Sequence, residues 1–151
     1  MDDADRCPCL SGDTYGACCG PLHRGERRAA TAEALMRSRY SAYAVRDVAY
    51  LRSSWHPRTR PPALELDPDQ EWRRLDVVAT RAGGPFDDAG EVEFVARYRW
   101  ATTGHAGRLH EVSRFVREGG RWLYVDGDVG ASPLRTGSAG SATGRSPTAP
   151  R

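Results

Sequence analysis

All four cysteines of the chain lie within thirteen residues near its N-terminus, and their spacing limits how this segment can fold. They form a C-x-C pair and a C-C pair separated by eight residues: Cys7, Cys9, Cys18 and Cys19. Structural zinc takes four ligands in a tetrahedron, and thiolate is one of its usual ligands. Two short ligand pairs joined by a turn-forming loop, here residues 11–13, can surround one such ion. The pattern therefore predicts a structural zinc ion bound by the four cysteines.

Two other states of these cysteines stay open from the sequence: a pair of disulfides, or four thiols without a metal. The acidic start of the chain, residues 1–5, lacks the charged-then-apolar order of a signal peptide. No apolar run of the sequence approaches the length of a membrane span. We therefore expect a cytoplasmic protein, whose thiols stay reduced, and favour zinc over disulfides. His23, four residues after Cys19, is an alternative fourth ligand in place of that cysteine.

Arginine accounts for all 22 basic residues, while lysine, asparagine and isoleucine do not occur among the 151 residues. Those three amino acids use A/T-rich codons, so we interpret the arginine content as the codon bias of a high-GC bacterial genome. Because the net charge is only +2, composition does not indicate a polyanionic partner, and nucleic-acid binding is not expected.

Apolar spacing divides the rest of the chain into helices followed by strands. Thr31 and Asp47 are typical N-cap residues, and apolar residues follow each of them at helical spacing. Asp67 followed by Pro68 predicts the start of a third, short helix with Trp72 as an apolar anchor. Alternating residues then predict four strands, over residues 76–81, 91–103, 108–117 and 121–128.

Three helices followed by an antiparallel sheet, within about a hundred residues, indicate an α+β domain in which a curved sheet wraps around the helices. We expect a zinc knuckle over residues 1–24 and the α+β domain over residues 25–129. The tail, residues 130–151, contains mostly Gly, Ser, Ala, Thr, Pro and Arg. Because this tail lacks the apolar side chains that would offset its ordering entropy, we expect it to be disordered.

The cysteine segment resembles the SEC-C motif, because residues 7–20 have the pattern C-x-C-x-S-G-x-x-Y-x-x-C-C-G. That motif is known from the C-terminal tail of the translocation ATPase SecA, where a zinc knuckle contacts partner proteins. The last ligand in the SecA form is a histidine, and Cys19 occupies that position here. The resemblance implies zinc binding and a protein partner for the knuckle.

The chain also resembles the YchJ family of bacterial proteins over residues 7–128. The similarity lies in TAEALMRSRYSAY at 31–43, SWHP at 54–57, EFVARY at 93–98 and HEVSRF at 110–115. It implies a SEC-C motif followed by a nuclear transport factor 2-like (NTF2-like) domain, the cone-shaped fold of ketosteroid isomerase with a cavity between helix and sheet. Many members carry a second, C-terminal SEC-C motif, for which this chain has no cysteines. The resemblance implies no particular activity.

Glu111 is the first candidate for chemistry in such a cavity. It shares a strand face with Ser113 and Phe115, and a carboxylate in apolar surroundings could act as a general base. The alternative, which we favour, is an ion pair between Glu111 and Arg97 or Arg99 on the neighbouring strand.

His56 and Asp126 are the other candidates. His56 lies at a helix end, where it could act as a base at the cavity mouth or interact with the helix dipole. Asp126 could act as an acid on the last strand or take part in a turn beside Gly127.

Two functional hypotheses follow, and we favour the first. In it, the protein is a zinc-binding adaptor or ligand-binding protein whose knuckle contacts another protein. Its cavity would hold a small ligand, a peptide or a second subunit of a homodimer. Because four thiolates leave no open coordination position, zinc would be structural. In the second hypothesis, an enzyme uses Glu111, His56 or Asp126 as general acid or base.

We expect Cys7→Ser to melt the knuckle and to leave the α+β domain folded.

Overall fold

The structure is a computed structural model that describes residues 1–130 and Leu134. Among these residues, a 3₁₀ turn and three α-helices precede four strands. The order of helices before strands was predicted, whereas the first of these helices, within the knuckle, was not. The helical elements are the 3₁₀ turn Tyr15–Ala17, α1 (Cys19–His23), α2 (Ala32–Val45) and α3 (Val48–Ser53). The strands are β1 (Gln70–Ala82), β2 (Ala89–Trp100), β3 (Ala106–Glu118) and β4 (Arg121–Val129). Apart from Gly130 and Leu134, the tail predicted to be disordered lies outside the described residues.

Both predicted N-caps are confirmed. Thr31 Oγ1 accepts a hydrogen bond from the backbone N–H of Ala34 (3.0 Å), at the start of α2. Asp47 Oδ1 accepts one from the backbone N–H of Tyr50 (3.0 Å), at the start of α3. Each cap satisfies a donor that the helix itself leaves unpaired, and such a bond stabilises a helix by about 1 kcal/mol.

The predicted third helix is wrong. Asp67 and Pro68 form a turn, in which Asp67 Oδ1 accepts a hydrogen bond from the N–H of Asp69 (2.9 Å). β1 begins directly afterwards and contains Trp72, which pairs with Tyr98 of β2. An aspartate can cap a helix or close a turn with the same hydrogen bond. Here the residues after the turn form an antiparallel ladder with β2, so they are a strand and not a helix.

The four strands form one antiparallel sheet in the order β1-β2-β3-β4. The register shifts at two places in β1, between Trp72 and Arg74 and between Val77 and Ala79. A third shift lies between Arg114 and Phe115 of β3. Irregularities of this kind bend a strand and increase its twist. The curved sheet packs its concave face against α2.

The knuckle and the α+β domain share one cluster of buried side chains. Cys7, Cys9 and Cys19 are at most 2% exposed and belong to the same cluster as Leu35 and Met36 of α2. The predicted domain boundary after residue 24 stays a prediction, but the packing joins both parts through α2. That helix is the longest described, with 14 residues, and none of the described helices is long and apolar enough to cross a membrane.

Candidate metal centre and ligand cavity

The four cysteine sulfurs converge at one place beside α2, where all lie within 4.8 Å of one another. Sγ of Cys18 is 3.6 Å from Sγ of Cys9 and 3.8 Å from Sγ of Cys19. A disulfide would require about 2.05 Å, so these pairs are not disulfides. Four sulfurs at about 2.3 Å from a central ion form a tetrahedron whose edges measure about 3.8 Å. The four side chains could therefore hold one metal ion.

The loop between the two cysteine pairs has the backbone conformation that brings the pairs together. The N–H of Cys7 donates to the carbonyl oxygen of Asp13 (3.0 Å), and the N–H of Leu10 donates to that of Cys7 (3.1 Å). Leu10 and Gly12 both have positive φ, 63° and 100°. Glycine adopts such angles without steric cost, which explains the glycine of the S-G pair in the motif.

Two hydroxyl groups contact the sulfurs. Ser11 Oγ donates to Sγ of Cys18 (3.2 Å), and Ser41 Oγ of α2 lies 3.6 Å from Sγ of Cys7. Donors around ligating atoms orient them and stabilise their negative charge. Ser11 is the serine of the S-G pair, so both residues of that pair have a physical role at the cysteine cluster.

The crowding of four thiols perturbs their acidity. The pKa of Cys7 is lowered because its sulfur accepts hydrogen bonds from Cys19 and Cys9. The hydrogen bonds of Cys19 with Cys7 and with Cys9 raise the pKa of Cys19. Burial raises the pKa of Cys18 to about 11. Neighbouring thiols cannot all ionise unless a cation lies among them, since like charges disfavour the ionised state. The cluster is thus suited to a cation.

His23 is not part of the cluster. Its Nε2 donates to the carbonyl oxygen of Ser38 on α2 (2.8 Å), so its Nδ1 accepts the hydrogen bond from the hydroxyl of Tyr15 (2.6 Å). Both ring nitrogens are occupied, and Cys19 rather than His23 lies with the other three cysteines. Through this relay, the tyrosine of the motif helps to attach the knuckle to α2.

A cavity of about 470 Å³ lies between α2 and the concave face of the sheet. Aromatic side chains dominate its wall, since nine of the chain's 13 Phe, Trp and Tyr residues line it. They are Tyr40, Tyr43, Trp55, Trp72, Phe94, Tyr98, Trp100, Phe115 and Tyr124. Five pairs of these rings pack edge to face, for example Trp72 against Tyr98 with centroids 5.1 Å apart. This packing produces a largely apolar wall.

Glu111, the first candidate from the sequence, lines the cavity and is 4% exposed. Its Oε2 accepts hydrogen bonds from Ser113 Oγ (2.7 Å) and from the hydroxyl of Tyr124 (3.1 Å). Gly127 of β4 packs directly against the carboxylate, where a side chain would collide with it. Because both bonds end on Oε2, Oε1 has acceptor capacity for a molecule in the cavity.

The expected ion pair between Glu111 and Arg97 or Arg99 is wrong. Glu111 lies opposite Phe94 in the β2–β3 register, on the cavity face of the sheet. Arg97 and Arg99 are at odd-numbered positions of β2, an odd number of residues from Phe94, so they lie on the other face. Arg99 pairs instead with Glu71 of β1 (3.0 Å).

Sequence reasoning missed Arg39, which is 6% exposed and also lines the cavity. Its guanidinium lies 5.0 Å from the ring centre of Trp55 and 4.5 Å from that of Tyr124. Nη1 donates to the carbonyl oxygen of Leu51 (2.9 Å) and to Ser54 Oγ (2.7 Å). Burial lowers the pKa of this arginine. The sequence did contain a signal for this position: Arg39 lies three residues after Met36 and four before Tyr43, on the side of α2 that faces the cavity.

His56 and Asp126 do not line the cavity. His56 Nδ1 accepts a hydrogen bond from the N–H of Arg58 (3.0 Å), so its Nε2 donates to Glu118 Oε2 (3.0 Å). Asp126 accepts a hydrogen bond from Arg114 Nε (2.6 Å). Both side chains thus hold surface segments in place, and a catalytic role for either stays a prediction.

Comparison with known proteins agrees with this architecture. Residues 4–21 match the model of the SEC-C motif, and residues 31–127 match the model described as "YchJ, middle NTF2-like domain". The chain is 48% identical over 122 residues to a UPF0225 protein of Streptomyces coelicolor, a match covering 81% of this chain and 94% of that protein. It is 53% identical over 131 residues to a UPF0225 protein of Cupriavidus metallidurans, a match covering 82% of this chain and 88% of that protein.

Two solved structures have the same fold. One is the solution structure of a SEC-C motif-containing protein from Rhodopseudomonas palustris, with TM-score 0.71, 38% identity, and coverage of 81% of this chain and 96% of that one. The other is the crystal structure of a SEC-C motif-containing protein from Psychrobacter arcticus, with TM-score 0.69, 28% identity, and coverage of 89% and 88%. The present chain belongs to the YchJ family, in which a SEC-C motif precedes an NTF2-like domain. The two family models that it matches and its UPF0225 relatives show this.

Proposed function

We propose that this protein binds a small, largely apolar ligand in the cavity, and that a structural zinc ion holds its knuckle against α2. The observation that carries the proposal is the aromatic cavity of about 470 Å³ with two buried charged side chains, Glu111 and Arg39, in its wall. Ligand sites are typically concave and apolar, with a few polar groups that orient the ligand.

The donor set supports zinc as the metal. Soft thiolates favour zinc over magnesium or calcium, and a closed set of four thiolates is typical of structural zinc sites. Metal mass spectrometry of protein purified without chelators, read beside a free-thiol titration, tests the assignment. We expect one zinc per chain and no reactive thiol. Free or oxidised thiols without zinc would overturn it.

The polar groups narrow the class of ligand. Glu111 Oε1 can accept a hydrogen bond, so the ligand needs at least one N–H or O–H donor. Arg39 and Glu111 carry opposite charges in the wall of the same cavity, so the ligand itself need not carry a net charge. The aromatic wall favours a ring system that packs edge to face or offset against Trp72 and Tyr98.

A fluorescent probe tests ligand binding directly. N-phenyl-1-naphthylamine is apolar, neutral and carries one N–H donor, and we expect it to bind saturably with one probe per chain. Ala96 is 2% exposed and lines the cavity, so Ala96→Phe should fill it and weaken binding at least tenfold. Val78→Phe is the control, because Val78 is 55% exposed on β1.

Folding of each variant is checked by far-UV circular dichroism and zinc content. Because overpacking can destabilise a core, Glu111→Gln serves as a second variant that keeps the shape of the side chain. The proposal fails if the wild-type protein does not bind the probe. It also fails if folded Ala96→Phe binds it as tightly as Val78→Phe does.

The buried carboxylate favours one second candidate, an enzyme that uses Glu111 as general base. Tyr124 donates to Glu111 and would orient it, while the aromatic wall excludes water from a bound substrate. The test is deuterium incorporation next to the carbonyl of cyclic ketones in D₂O, followed by NMR. Exchange by the wild-type protein that Glu111→Gln abolishes would support catalysis. Equal exchange by both proteins would exclude it.

A protein partner at the knuckle is the remaining part of the proposal, and one exposed side chain favours it. Leu10 is 44% exposed in the loop between the cysteine pairs, whereas Cys7 and Cys9 are fully buried. We expect Leu10→Asp to abolish capture of a specific partner. Phe86→Asp, in the β1–β2 loop and 94% exposed, is the matched control. If Leu10→Asp and Phe86→Asp captured the partner equally well, the knuckle would not be the surface that contacts it.

A further inference from the structure

A second cleft, of about 360 Å³, lies between the end of the knuckle, α3 and the start of β4. We call it the arginine cleft, because Arg27, Arg28 and Arg121 line it. None of the described residues in its wall is an aspartate or glutamate, and it shares no lining residue with the aromatic cavity. Three cations around one concavity concentrate positive potential inside it.

The three arginines are held by backbone carbonyl groups rather than by acids. Arg27 Nη2 donates to the carbonyl oxygen of Cys18 (3.1 Å), and Arg28 Nη1 donates to that of Gly119 (3.4 Å). Arg121 Nη2 donates to the carbonyl oxygen of Ser53 (3.1 Å). A guanidinium has five N–H donors, so these bonds position each group and leave most of its donors for another acceptor.

Codon bias explains how many arginines the chain has, but not how they are paired. Eight other arginines of the described residues form ion pairs with carboxylates: Arg24, Arg37, Arg73, Arg74, Arg81, Arg99, Arg114 and Arg117. The three arginines of the cleft form none with the described residues, and all three line the same concavity. Eight arginines elsewhere in the described residues also form none, so the grouping around one cleft is what sets these three apart. A carboxylate-free group of arginines around a cleft is the arrangement that recognises an external anion.

Apolar side chains complete the wall of the cleft. Trp122 is 3% exposed, and its Nε1 donates to the carbonyl oxygen of Ala30 (3.3 Å). Leu22 and Tyr50 lie in the same wall. We propose that the arginine cleft binds a small organic phosphate. The phosphate oxygens accept hydrogen bonds from the arginines, and the organic part packs on Trp122 and Leu22.

The test uses phenyl phosphate and inorganic phosphate as probes in calorimetric titrations at low salt. We expect phenyl phosphate to bind with one molecule per chain and more tightly than inorganic phosphate, because its ring adds contact with the apolar wall. Amide chemical shifts locate the site. Gly25 and Ser53, which line the cleft, should shift on binding, whereas Ala96 in the aromatic cavity should not.

Arg28→Gln and Arg121→Gln should each weaken phenyl phosphate binding at least tenfold, while Arg97→Gln, an exposed arginine of β2 outside the cleft, should not change it. Arg121→Lys tests the planar fork, since lysine keeps the charge but not the paired donors. No saturable binding by the wild-type protein, or an equal loss in Arg97→Gln, would overturn the proposal. Equal affinity for phenyl phosphate and inorganic phosphate would refute the organic part of the assignment.

Discussion

Removal of the metal should destabilise the whole protein and not the knuckle alone. The sequence led us to expect that Cys7→Ser would leave the α+β domain folded. The structure changes the expectation, because the buried cysteines and Tyr15 pack in the same cluster as Leu35 and Met36 of α2. When the knuckle loses its metal, these α2 side chains lose part of their packing.

The size of the effect follows from the contacts between the knuckle and α2. Arg37 of α2 donates to the carbonyl oxygen of Cys9 (2.9 Å), and His23 donates to that of Ser38 (2.8 Å). Each such bond contributes about 1 kcal/mol net. Burial of Tyr15 against the core contributes about 2 kcal/mol more. Removal of the metal should therefore lower the free energy of unfolding by about 4 kcal/mol, a large part of the ~5–15 kcal/mol typical of a domain.

Urea unfolding followed by tryptophan fluorescence measures this loss, because all four tryptophans lie outside the knuckle. Zinc-loaded protein, chelator-treated protein and Cys7→Ser are compared. We expect the last two to have similar midpoints, both well below that of the zinc-loaded protein. A change of less than about 1 kcal/mol, the contribution of a single hydrogen bond, would refute the reasoning. The knuckle would then be an independent unit, as the sequence suggested.

Three further substitutions test single contacts. Thr31→Ala should lower the free energy of unfolding by about 1 kcal/mol through loss of the N-cap of α2, and Thr31→Ser should retain it, as urea unfolding can show. Ser11→Ala should weaken zinc affinity about tenfold in a chelator competition assay, because it removes the hydroxyl donor to Cys18. Gly127→Ala should weaken N-phenyl-1-naphthylamine binding, because the added methyl group displaces the Glu111 carboxylate; unchanged binding would show that this contact is dispensable.

Local signals in the sequence predicted those features that depend on neighbouring residues. The caps at Thr31 and Asp47 form within four residues of the chain, and the cysteine pairs are close in sequence. The helix predicted after Asp67-Pro68 was wrong because this prediction also used only neighbouring residues, and an Asp-Pro pair fits a helix start and a turn equally well. Pairing with β2, which is distant in sequence, determined that Gln70 begins a strand.

The polar contacts of the cavity depend on register and could not be obtained from spacing alone. The strand face that Glu111 shares with Ser113 and Phe115 was predicted correctly, but the partner of Glu111 required knowing that it lies opposite Phe94. Arg39 was overlooked because arginine is usually exposed. Its separation from Met36 and Tyr43 places it on the buried stripe of α2, where a cation needs partners such as the rings of Trp55 and Tyr124.

α2 connects the two sites, because one face of the helix contacts the knuckle and another lines the cavity. Arg37 and Ser41 contact the cysteine loop, whereas Arg39 and Tyr40 line the cavity. A change in metal occupancy that shifts α2 must then change the affinity of the cavity, and by linkage the two effects are equal. N-phenyl-1-naphthylamine should bind zinc-loaded protein at least fivefold more tightly than zinc-free protein, near the lower end of the roughly 5–150-fold range of such couplings. The probe should raise zinc affinity by the same factor. A factor of one in both measurements would show that α2 holds the two sites without coupling them.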